Sequence, residues 1–175
     1  MDVKVNIYSP EFDTQLINSL SNFQYPKEFF EFTEIIHSLS SNYKYSNDKI
    51  KIEIFAGDAR EYLKSLSQSE IKFDIVYQDA FSSDVNHLLW TVEYFKDIAD
   101  ILSKNAILTT YSIATPIRLS IYENDFFIYE YKPNDSNRIT IALNKKEIDN
   151  NFKYIDMELK KTRNTTAKAL YDLTI

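Results

Sequence analysis

Phe73-Asp74-Ile75-Val76-Tyr77 is short and nearly continuous in apolar side chains, the pattern of a strand buried on both faces of a sheet. A loop over residues 79–86 follows it. Leu88, Val92, Phe95, Ala99 and Leu102 then recur at spacings of four, three, four and three, which sets them on one stripe of a helix. Residues 106–111 read as a second buried strand. A strand, a helix and a strand in that order make a parallel pair, so the centre of the chain predicts an α/β sheet.

Working outward, the same grammar repeats. Val3, Val5 and Ile7 alternate with polar residues until Ser9-Pro10, giving a strand over residues 3–8. Residues 12–21 and 27–39 carry apolar positions at helical spacing, and residues 40–48 are polar and loop-like. Ile50, Ile52 and Ile54 alternate as a further strand, closed by Gly57-Asp58, before a short helix over residues 59–67. Downstream, residues 114–122 read as a helix with Pro116 in its first turn. Residues 126–131 and 139–143 are two strands joined by Pro133-Asn134-Asp135-Ser136, with no helix between them, hence an antiparallel hairpin. A domain over residues 1–144 is expected, followed by a charged surface tail over residues 145–175 with a helix near residues 165–172.

Composition narrows the function. With 44% hydrophobic and 15% aromatic residues among 175, the chain has the material for a packed core. Its formal charge of -6 argues against nucleic-acid binding by charge alone. There is no cysteine, which excludes disulfides and thiolate metal sites. No apolar run approaches the length of a bilayer span, and the N-terminus lacks a secretory pattern, so the expected location is the cytoplasm. Gly57 is the single glycine. A glycine-rich phosphate loop, and with it a complete P-loop or dinucleotide-binding domain, is excluded for these residues.

In sheets of this class ligands bind beyond the carboxyl ends of the strands. Glu11, Asp58 and Asp79 fall there, after the first, second and third expected parallel strands, and are expected to converge on one crevice. Carboxylates so placed can accept hydrogen bonds from ribose hydroxyls or an adenine amino group. Each can equally be a helix N-cap. Asp79 fits that second role less well, because the next helix starts several residues later and Phe81 and Trp90 flank the loop. His37 and His87 are too isolated to suggest a metal site.

The run Asp-Ala-Phe-Ser-Ser-Asp-Val-Asn-His-Leu-Leu-Trp over residues 79–90 resembles the methyltransferase domain of the bifunctional enzyme family that completes 5-methylaminomethyl-2-thiouridine in the tRNA anticodon, and stand-alone relatives of that domain. Asp79, Ala80, Phe81, Asn86 and Trp90 match the family pattern in register, while Ser83 and His87 stand where the family has prolines. Thr110-Tyr111-Ser112, Ala114 and Ile117-Arg118 form a second match. Gly57-Asp58 and Ser9-Pro10-Glu11 resemble the acidic ends of the family's third and second strands, and the likeness runs from about residue 3 to residue 143.

The resemblance implies a Rossmann-like class I methyltransferase fold without its first strand and glycine-rich loop, mostly parallel, with the antiparallel hairpin at its C-terminal side. It implies S-adenosyl-L-methionine as cofactor, held by Glu11, Asp58, Ala59 and Phe81, and tRNA as substrate, met by Trp90 and Arg118. Asp79 is the catalytic candidate, toward the amine of 5-aminomethyl-2-thiouridine. Nothing in the likeness covers the family's flavin-dependent oxidase domain. The strand absent here is central in the family, so another chain or an upstream segment is expected to complete the sheet. The alternative is a degenerate, non-catalytic module that keeps the fold for binding, and within enzymes the nearest rival is a spermidine-synthase-like aminopropyl transferase.

Overall fold

A computed structural model describes residues 3–146 and 151–172. It divides into two compact units, Met1–Tyr62 and Leu63–Ile175.

In the first unit the elements are β1 (Val5–Glu11), α1 (Thr14–Ser19), α2 (Thr33–Asn42), β2 (Lys44–Ser46), β3 (Ile50–Ala56) and the start of α3 (Ala59–Ser67). The sheet runs β1-β3-β2, with β1 parallel to β3 from Val5↔Ile50 to Glu11↔Ala56. β1 continues through Ser9-Pro10, where the sequence predicted a break. It is an edge strand, and a proline is tolerated there because its missing N–H can face away from the ladder. Asp13 starts α1 by accepting from the backbone N–H groups of Gln15 and Leu16. The helices expected over residues 12–21 and 27–39 are each part α-helix and part 3-10 turn. The polar stretch read as a loop instead holds the last turn of α2 and the short strand β2, which pairs antiparallel with β3.

The second unit continues with β4 (Phe73–Gln78), α4 (Val92–Asp100), β5 (Leu102–Thr110), α5 (Thr115–Tyr122), β6 (Phe127–Tyr131), β7 (Ile139–Leu143), β8 (Lys153–Tyr154) and α6 (Met157–Arg163). Its sheet runs β4-β5-β7-β6-β8. Among the described residues parallel pairing is confined to β1–β3 and β4–β5, and the hairpin β6–β7 is antiparallel as the sequence predicts.

Three details differ from expectation. Leu102 begins β5 rather than ending α4, and Leu88 sits in a separate 3-10 turn, because the Thr91 hydroxyl caps α4 at the N–H of Tyr94. β4 is covered on one side only: Ile75 and Tyr77 stand 51% and 76% exposed. The stretch expected as a surface tail adds β8 to the sheet, places its helix at α6 and buries Ile155 and Met157.

Trp90, Phe95, Ile98, Leu108, Ile121, Phe126 and Ile128 are among the most deeply buried apolar side chains of this unit. Each such side chain contributes roughly 1.5–3 kcal/mol relative to exposure. Among the described residues no helix is long and apolar enough to cross a membrane.

Candidate functional site

In the first unit the parallel register brings Glu11 and the β3 end to one edge of the sheet, where the N–H of Gly57 donates to the Glu11 carbonyl at 2.9 Å. The Glu11 carboxylate accepts from the backbone N–H of Asp13 at 2.8 Å. Asp58 accepts from the N–H groups of Arg60 and Glu61 at 2.8 and 3.1 Å, so it caps α3, with Ala59 as the first helical residue. Gly57 is required by a close approach. A Cβ there would lie 2.8 Å from Cε1 of Phe55, whose ring stacks on Tyr62 with centroids 4.5 Å apart. Burial, reinforced by the charges of Glu53 and Tyr8, pushes the Tyr62 phenol up to about 12.

In the second unit Asp79 follows β4 directly and is exposed. Among the described residues no donor bonds its carboxylate. The loop that carries it is tied down through its backbone. Trp90 Nε1–H donates to the Phe81 carbonyl at 2.6 Å, and the Tyr111 hydroxyl donates to the Ala80 carbonyl at 2.9 Å. Gln78 Nε2–H donates to the Leu89 carbonyl at 2.8 Å, and the Gln78 amide oxygen accepts from the Tyr94 hydroxyl at 3.3 Å. The Trp90 and Tyr111 rings meet edge to face at 5.8 Å. Phe81 itself projects outward, 75% exposed. The result is a fixed backbone presenting one carboxylate and one aromatic ring to solvent, a preorganised arrangement for binding or orienting a ligand.

Two expected substrate contacts are corrected by burial. Trp90 is 0% exposed and acts through the Phe81 carbonyl, so its ring is not a surface for a base. Arg118 is 2% exposed, with Nε–H donating to Thr140 Oγ1 at 2.9 Å and its Nη2 bonded to Glu130 at 3.1 Å. A guanidinium enclosed in that way does not reach an RNA phosphate. Arg138 completes the cluster on the other Glu130 oxygen at 3.3 Å. Tyr111 and Gln78 carry no role in the sequence pattern, yet both brace the loop. Nothing in a linear pattern says that either reaches the loop, although both lie at strand ends flanking it. Among the described residues no group of three or more His, Asp or Glu side chains is arranged to hold a metal ion.

A family model described as S-adenosyl-L-methionine-dependent methyltransferase matches residues 24–146, well over half of the chain. MnmC2 from Aquifex aeolicus has a similar fold, with a TM-score of 0.69 at 20% identity over 97% of this chain and 62% of that one. The uncharacterized protein MJ0670 of Methanocaldococcus jannaschii is 32% identical over 87 residues, 50% of this chain and 24% of its own length. A polyamine aminopropyltransferase of Vibrio vulnificus is 22% identical over 131 residues, 68% of this chain and 44% of its own length. The chain thus spans less than two thirds of each.

Proposed function

This chain belongs to the family of S-adenosyl-L-methionine-dependent methyltransferases, and we propose that it acts on the aminomethyl group of 5-aminomethyl-2-thiouridine at the tRNA wobble position, in the cytoplasm. The observation that carries the reading is the loop after β4, with carbonyls tied to Trp90 and Tyr111 while Asp79 and Phe81 face solvent. The fold shared with MnmC2 supports the choice among methyltransferases.

The residues present fit one end of the cofactor and not the other. Within the first unit, Glu11 and Asp58, on one edge of their sheet, suit the ribose hydroxyls and the adenine amino group, with Ala59 beside Asp58. Among the described residues no cradle for the amino-acid end accompanies them: the one glycine, Gly57, faces the Phe55 ring. Among the described residues β1 pairs only with β3 and β4 only with β5, leaving an edge of each open to an added strand. We assign the missing cradle to such a strand, from another chain or from sequence upstream.

When bound, S-adenosylmethionine supplies a methyl group on sulfonium that is open to displacement from the rear. An alkylammonium has no lone pair for that attack, so the substrate amine must be neutral and aligned. Asp79 is the group that accepts its proton or orients it, and Phe81 packs against the cofactor or the base. A carboxylate without an internal partner among the described residues is available for that work.

Two rivals are tested alongside. The aminopropyltransferase likeness favours transfer of an aminopropyl group, and the single glycine favours a module that binds without catalysing. Calorimetry on the 175-residue chain is expected to show S-adenosylmethionine binding weaker than about 1 mM, since a few hydrogen bonds of ~1 kcal/mol each do not offset an association cost of ~4 kcal/mol or more. Micromolar binding would refute the incomplete site. In a form completed by the added strand, methylated nucleoside is expected by mass spectrometry, and Asp79→Asn should lower turnover more than affinity. Aminopropyl transfer from the decarboxylated cofactor, or cofactor binding with no transfer, would select the corresponding rival.

A further inference from the structure

Residues 164–172 contain no helix or strand, yet their last part is firmly held. The N–H of Leu170 donates to Ser120 Oγ at 2.9 Å, and Ser120 is itself fully buried in α5. The Leu170 carbonyl accepts from the N–H of Val92 at 2.8 Å. That donor belongs to the first turn of α4, where helix geometry supplies no internal acceptor. The N–H of Asp172 donates to Glu93 Oε2 at 3.0 Å. Between them, the Tyr171 carbonyl lies 3.0 Å from His87 Nε2. A carbonyl only accepts, so His87 Nε2 carries the hydrogen and donates it.

Three consecutive residues thus engage three points, His87, Val92 and Glu93, at the end of the loop over residues 79–90 and the start of the helix after it. One anchor lies on α5, away from that loop. We infer that residues 170–172 are a strap that positions the loop bearing Asp79 and Phe81, and that His87 is the positioning residue through which the strap reaches it. The path is short. His87 opens the 3-10 turn whose C-cap is Trp90, and the Trp90 indole fixes the Phe81 carbonyl. A side-chain hydrogen bond from His87 to a segment distant in sequence restrains the loop at this point. The functional weight of the strap rests on the reading of Asp79 as the amine site, but its existence as a restraint does not.

The chain reports on this by itself, because Trp90 is its single tryptophan. Selective excitation of Trp90, with acrylamide as quencher, measures how often the loop opens around the indole. His87→Ala and Ser120→Ala, both in the full chain and checked for folding by far-UV circular dichroism, are each expected to raise the quenching constant severalfold. His87→Gln, whose amide can donate to the same carbonyl, is expected to stay near the parent value. An unchanged constant in folded His87→Ala overturns the proposal, as does equal loosening in His87→Gln. Ser120→Ala without effect would mean that His87 acts locally and that the strap carries nothing. In the completed enzyme, a loosened loop with unchanged turnover would refute the role given to Asp79 and leave the strap standing.

Discussion

Replacing Arg118 by methionine tests whether that residue is a piece of the scaffold, as its burial indicates, or a contact for substrate. The guanidinium bonds Thr140 Oγ1 at 2.9 Å and Glu130 at 3.1 Å, and the Glu130 side chain is only 12% exposed. Arg118→Met therefore leaves a largely buried carboxylate with Arg138 alone, whose side chain is 54% exposed and whose pairing is worth little in water. Removing one partner of a buried pair costs about 3–5 kcal/mol. The remaining Arg138 pulls the expectation toward the lower end, about 3 kcal/mol. For a chain of this size that is a fall of roughly 6–12 °C in Tm. The double variant Arg118→Met, Glu130→Met removes the stranded charge and should recover most of the loss, since apolar replacement of both partners is often close to neutral. Urea denaturation of the wild type, both single variants and the double variant closes the cycle. A loss below about 1 kcal/mol in Arg118→Met, or single losses that simply add, would refute the argument and return Arg118 to the list of groups free to meet RNA.

The same cluster sets a pH dependence. Burial pushes Glu130 up, but hydrogen bonds and charge from Arg118 and then Arg138 outweigh it and hold the carboxyl below its usual 4.5. A lowered folded value means stability that is fully present above 4.5 and lost as pH falls through the folded value, so urea midpoints should drop below pH 4.5, and drop less steeply in Arg118→Met. Gly57→Ala should cost about 1–3 kcal/mol by pushing the Phe55 ring off Tyr62; ultraviolet titration should show the Tyr62 phenol, near 12 in the parent, ionising earlier. Asp58→Ala should cost about 1 kcal/mol by uncapping α3 while Asp58→Asn costs almost nothing, as read by thermal melts.

How much of the fold the sequence exposes depends on whether an element announces itself by side-chain period. The helix over residues 59–67 and the strand over residues 139–143 do, and their bounds agree with expectation. β8 is too short to have a period, and residues 170–172 are held mainly through backbone atoms, so no pattern of residue types marks them. Leu102 misled because helical spacing runs on numerically past the C-cap of α4 into β5. Pro10 misled for the opposite reason: its effect depends on whether the strand is an edge, which is a property of the sheet. The run over residues 73–77 carries enough apolar character for burial on both faces. Only the assembled sheet reveals that Ile75 and Tyr77 lie uncovered.

The site obeys a different rule. Sequence position alone put Asp58, Asp79, Trp90 and Arg118 at strand ends or in the elements that follow, and residue type made all four eligible to touch a ligand. What separates them is whether the chain itself engages their polar atoms. Asp58 caps a helix through Oδ1, which leaves only its other oxygen for the cofactor, while Trp90 holds a carbonyl and Arg118 closes an ion pair. Asp79 has no such engagement among the described residues, yet the backbone after it is fixed by two side chains, Trp90 and Tyr111. Fixing a backbone costs roughly 1–2 kcal/mol per residue in conformational entropy. A fixed loop that presents an exposed carboxylate and an exposed phenyl ring gains nothing for folding from either group. The order is explained if something outside the chain is to be met there, and the chemistry of the pair, an anion beside an aromatic face, suits a cationic amine on a planar base.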